Sequence, residues 1–157
     1  MTDATAETNP VAPPKGRRNS GLGRVIIAVY GIFALSASVR AGYQLASDFS
    51  AAPEPYLLSA FAAVVYIVAT VALAVPGVRA WWTALVAVLI ELVGVIAIGA
   101  YSFVAPEHFP ESTVWSHFGE GYGYVPMVLP IIGLIWLLTH RPGAETGAHD
   151  TAVTGRD

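Results

Sequence analysis

Two charged side chains fall inside long apolar stretches of this chain: Arg40 in GIFALSASVRAGYQLAS, and Glu91 in TALVAVLIELVGVIAIG. In hydrocarbon each costs about 2.5–3.5 kcal/mol at a helix centre, so such residues turn toward a bundle interior or a water-filled cavity. A lone carboxylate at that depth can take up and release a proton. Beside an arginine it becomes a fixed ion pair that sets helix register. Counting at 1.5 Å per residue puts Arg40 roughly 10 Å, and Glu91 roughly 16 Å, below the same membrane boundary. The offset of about 6 Å is within the reach of a bent arginine side chain, so a pair is geometrically allowed. Helical spacing adds Ser36, Gln44 and Ser47 to the face of Arg40. Ser59, Tyr66 and Thr70 line a second segment, and Thr83, Glu91 and Ser102, with Gly94 beside them, a third. Polar stripes in lipid converge, which predicts a polar core centred on Arg40, Gln44, Tyr66 and Glu91.

A second group with chemical potential is the stretch PEHFPESTVWSHFGEGY, residues 106–122. It holds His108 and His117 among Glu107, Glu111 and Glu120, with Phe109, Trp115, Phe118 and Tyr122. The histidine and carboxylate spacing matches no compact zinc motif, and no metal or other cofactor is expected. A short helix over 111–118 would turn Val114, Trp115 and Phe118 toward the membrane surface. The stretch then reads as an interfacial lid, or as an interaction surface formed by His108, Trp115, His117, Phe118 and Tyr122. There is no nucleophile elbow, phosphate loop or HExxH, so an enzyme is not expected.

The elements that must position these residues are membrane helices. The chain has 157 residues, 55% hydrophobic and only 12% charged, against roughly 25% charged in a soluble domain. Its apolar residues come in long runs that divide into four spans, about 25–47, 56–75, 80–104 and 124–139. Pro53-Glu54-Pro55 opens the second, Pro76-Gly77 closes it, and Pro106 stops the third. The fourth is short and carries Pro126, Pro130 and Gly133, which predicts a short or kinked helix. Residues 1–23 and 142–157 read as disordered tails, 24–141 as the membrane domain, and 105–123 as its one long loop.

The basic residues orient this arrangement. Lys15, Arg17, Arg18 and Arg24 precede the first span, Arg79 lies between the second and third, and Arg141 and Arg156 follow the fourth. The two remaining loops carry Asp48, Glu54, Glu107, Glu111 and Glu120, and no basic residue. By the positive-inside pattern, both termini are cytoplasmic. The expected fold is an all-α, polytopic membrane protein with four transmembrane helices in a bundle. Net charge is −3 and the cations are scattered over short pieces, which argues against nucleic acid as a partner. The absence of cysteine removes disulfides, thiol redox chemistry and thiolate metal sites.

In the first span Ala34, Ser38, Gly42 and Ala46 recur every fourth residue, a small-residue strip of the kind that lets helices approach closely. It is a candidate surface for another span, a second copy of the chain or a larger partner subunit.

The segments SASVRAGYQL, YLLSAFAAVVYIVATVAL, IELVGVIAIG and STVWSHFGEGYGYVPMVLPIIGLIWL together resemble small four-span integral membrane proteins of high-GC Gram-positive bacteria. The resemblance covers about residues 23–141. It implies the bacterial cytoplasmic membrane and supplies no activity or site residue. The small size, the absence of catalytic motifs, the small-residue strip and the aromatic loop lead to the expectation of a non-enzymatic accessory or scaffold subunit of a larger membrane or envelope complex. The alternative is a small transporter or channel component that uses Arg40 and Glu91.

Overall fold

The computed structural model describes residues 21–47 and 49–142. The tails read from the sequence, including Lys15, Arg17, Arg18 and Arg156, lie outside the described residues. Four helices follow one another: α1 (Gly21–Ser47), α2 (Pro53–Ala74), α3 (Val78–Val104) and α4 (Val125–Thr139). Two 3-10 stretches, Pro106–His108 and Ser116–Tyr122, lie between α3 and α4. No strand occurs among the described residues.

Proline and glycine set the boundaries. Pro53 and Pro55 occupy the first turn of α2, where a missing N–H removes no helical bond. Val75-Pro76-Gly77 joins α2 to α3 in three residues, with Gly77 at φ 126°. Pro106 follows the last turn of α3. The helices antiparallel to one another place the two termini of the described chain at one end of the bundle, the terminal end. Residues 105–124 lie at the other, the segment end.

Three helices, α1, α2 and α3, are long and apolar enough to cross a membrane. Their large side chains point outward: Ile32, Leu35 and Val39 on α1, Val64 and Val71 on α2, Val93 and Ile96 on α3 are all exposed. An apolar exterior of that extent fits lipid rather than water. The interior is built from small and polar-tipped residues, Ala62, Ala69 and Ala84 beside Tyr30, Tyr66 and Glu91.

The fourth helix differs. Its 15 residues reach only about 22 Å, short of the roughly 30 Å hydrocarbon core. It runs unbroken through Pro130. The break lies before it: Ser116–Tyr122 and α4 meet at 100°, as a broken span or a re-entrant loop. Gly123 (φ 64°) and Tyr124 (φ 61°) form that corner in the left-handed region.

At the terminal end, the Trp81 indole donates to the Leu137 carbonyl at 2.9 Å and ties α3 to α4. Leu137 lies in the last turn of α4, where carbonyls have no regular helical donor. The Arg141 guanidinium covers the face of Trp81, 5.7 Å from the ring centre.

Candidate functional site

Glu91 sits at the centre of the bundle, fully buried. Its Oε2 accepts a hydrogen bond from the Tyr30 hydroxyl of α1 at 2.7 Å. Tyr30 reaches this point because α4 offers Gly133 there. A Cβ at that position would stand 3.3 Å from the Tyr30 hydroxyl. From α2, the Tyr66 hydroxyl lies beside both the carboxylate and the Trp115 indole, yet makes no hydrogen bond of good geometry. Glu91 Oε1 and Trp115 Nε1 are likewise buried without a hydrogen-bond partner. Tyr30, Tyr66, Glu91 and Trp115 thus form one polar cluster drawn from α1, α2, α3 and the segment before α4.

The ion pair allowed by depth counting is not formed. Arg40 turns to the segment end instead. One guanidinium nitrogen donates to the Tyr122 hydroxyl at 3.1 Å, and another to the Ser112 carbonyl at 2.8 Å. A single side chain therefore clamps both ends of residues 112–122. Between the two helix ends, that segment offers Arg40 partners nearer the boundary, so the cation need not descend toward Glu91. Gln44 is buried, with its Oε1 unpaired, and lines an open cleft with Arg40, Tyr43, Ser47, Tyr56 and Glu111. The expected core is thus two sites: Glu91 with Tyr66 at depth, Arg40 and Gln44 above.

The geometry of α1 explains part of this division. Residues four apart advance 400°, or about 40° beyond a full turn. The stripe Ser36, Arg40, Gln44 rotates accordingly from exposed through half-buried to buried. The small-residue strip is carried out of the bundle by the same rotation: Ala34 is buried, Ser38 half-buried, Gly42 and Ala46 exposed. It is not one packing face, because its period departs from that of the helix. The hydroxyls of Ser38, Ser59, Thr70 and Thr83 bond back to carbonyls four residues earlier in their own helices. They satisfy themselves locally and build no site.

Residues 113–116 and 119 of the segment 105–124 sink into the bundle, while 106–108, 110–112, 120, 121, 123 and 124 stay exposed. No α-helix forms over 111–118, because Thr113 and Ser116 capture the backbone that it would need. Thr113 Oγ1 accepts from the amides of Trp115 and Ser116, while Ser116 Oγ accepts from the Thr113 amide. The chain then turns through three consecutive left-handed residues, His117, Phe118 and Gly119 (φ 51°, 59° and 80°). This shape drives Val114 and Trp115 into the bundle, 3% and 1% exposed. The Trp115 ring lies flush on Gly94, where an added Cβ would come within 2.6 Å of it. Phe118 lies in the same way on Gly99, and Pro126 on Gly119. Ser102 anchors the turn by accepting from the His117 amide at 2.8 Å.

Of the five residues expected to form an interaction surface, Trp115 is buried, and His117, Phe118 and Tyr122 are half-buried. His117 packs edge-on against Phe103, and Tyr122 serves Arg40. Only His108 stays exposed, 3.7 Å from Glu54 and near the Tyr101 ring.

Sequence reasoning missed Tyr30 and the depth of Trp115. A signal existed for the first: a tyrosine hydroxyl inside an apolar span needs a partner. For the second, the signal was Gly94 and Gly99 on α3, two gaps that want large side chains opposite. The chain matches no family model, no curated protein and no solved structure.

Proposed function

We propose that this chain is a four-span protein of the bacterial cytoplasmic membrane, with both termini inside, residues 105–112 outside, and the bent stretch Ser116–Tyr122 together with α4 forming the fourth span. Its role is that of a non-catalytic accessory or scaffold subunit in a larger membrane or envelope complex. The distribution of lysine and arginine supports the orientation. One observation carries the role: both intramembrane charges are engaged in holding the shape of the bundle. Glu91 joins α3 to α1 through Tyr30, and Arg40 fastens the outer segment to α1. Charged residues used this way hold a defined surface for a partner. The test is the native mass of the protein extracted in mild detergent from its own membrane, with mass spectrometry of what accompanies it. A stoichiometric larger partner is the expected result. A monomer or a homo-oligomer alone overturns the accessory role.

A second reading, a small transporter or channel component, has its own observation. Glu91 keeps one carboxylate oxygen unpaired in the bundle centre, beside the unpaired Tyr66 hydroxyl. This reading rests on Glu91 without Arg40. It requires Glu91→Gln to abolish an ion or proton flux in proteoliposomes while the bundle stays folded.

A further inference from the structure

We propose that residues 112–122 are an outer gate over Glu91, latched by Arg40, and that release of the latch opens the carboxylate to the aqueous phase outside. This goes beyond both readings above, since it concerns access to the site and not the complex the bundle serves.

Four observations meet in this segment. First, its depth: Trp115 rests on Gly94, one turn of α3 from Glu91, and its ring edge meets Phe61 of α2 at 6.1 Å between centres. Removing Trp115 would uncover the polar cluster from the segment end. Second, its attachment. The polar bonds that join the segment to the rest of the bundle include two from Arg40, one at each end, and one from the His117 amide to the Ser102 hydroxyl. Among the described residues, the guanidinium holds both ends by side-chain hydrogen bonds. Third, its conformation. His117 and Phe118 within it, and Tyr124 just after it, are non-glycine residues in the left-handed region. Such a backbone is held by its surroundings rather than by its own preference. Fourth, the surface it covers. Glu91 Oε1 and Tyr66 Oη are buried beneath it, and neither makes a hydrogen bond of good geometry, so water entering on opening would give them partners. In a strained, clamped segment above a buried carboxylate, Arg40 is the contact whose loss would favour local opening.

The chain contains no cysteine, so a single introduced thiol is a unique reporter. Val95, fully buried one turn of α3 toward the gate from Glu91, becomes V95C. Ala84, fully buried toward the terminal end, becomes the control A84C. Each full-length protein is placed in proteoliposomes with a membrane-impermeant methanethiosulfonate on both sides. Arg40→Gln, or the milder Tyr122→Phe, should speed labelling of V95C about tenfold, the effect of losing one good hydrogen bond on a local opening. A84C should stay slow in every background. Unchanged labelling of V95C in both latch variants overturns the proposal. Equal acceleration at V95C and A84C also overturns it, because the bundle would then be loosening as a whole. Tyr122→Phe keeps the charge and the ring, so it remains informative where Arg40→Gln fails to fold.

Discussion

The Tyr30 hydroxyl meets the Glu91 carboxylate at 2.7 Å across 61 residues of sequence, and by this bond the first and third helices share one buried polar contact. Hydrogen bonds to charged groups contribute about 1.5–3 kcal/mol, and neutral ones about 1 kcal/mol. A double-mutant cycle of Tyr30→Phe and Glu91→Gln, read by unfolding in mixed micelles, should show coupling in that range. Strict additivity would mean that the contact contributes nothing to the fold.

Gly94 and Gly42 make opposite predictions for the same substitution. Alanine at Gly94 drives a methyl into the Trp115 ring, which should cost about 1–3 kcal/mol as an overpacked contact. Alanine at Gly42 meets nothing within 4 Å and should stabilise the helix by about 0.5–1 kcal/mol. The same unfolding assay ranks the two. A Gly94→Ala protein as stable as the parent would remove Trp115 from the interior.

Trp81→Phe should weaken the terminal end alone. It deletes the indole bond to the Leu137 carbonyl and should cost about 0.6–1 kcal/mol, the usual size of an interhelical hydrogen bond in membranes. Hydrogen exchange should show earlier opening of the last turn of α4, with Glu91 and its neighbours unchanged.

Phe118→Ala leaves a void over Gly99 and should lower stability by about 3–5 kcal/mol if the ring is a full part of the core. Phe118 is only half-buried and also touches Phe103 at 5.8 Å, so the expected loss lies at or below the bottom of that range. A loss close to zero would show that Trp115 alone seats the segment.

The helices were legible because proline, glycine and long apolar runs are local signals. Pro53, Pro76-Gly77 and Pro106 bound α2 and α3 almost where the sequence places them. The partner of Arg40 was not legible. One acceptor is a backbone carbonyl, that of Ser112, which every residue possesses, and the other is a tyrosine 82 residues away. Nothing in the local text marks either. Trp115 was misplaced for a related reason. Aromatic residues near a boundary favour the interface on average, but here Gly94 offers a closer fit.

The separation between Arg40 and Tyr122 has a consequence during synthesis. When α1 first enters the bilayer, neither contact of its arginine yet exists. Tyr122 is translated 82 residues later, which at 5–20 residues per second is roughly 4–16 s. For that interval the nascent helix carries an arginine without its final partners, at a penalty of up to about 3 kcal/mol if it lies at the helix centre. The first helix therefore depends on the translocon or on its own basic flank to stay inserted until the last quarter of the chain emerges.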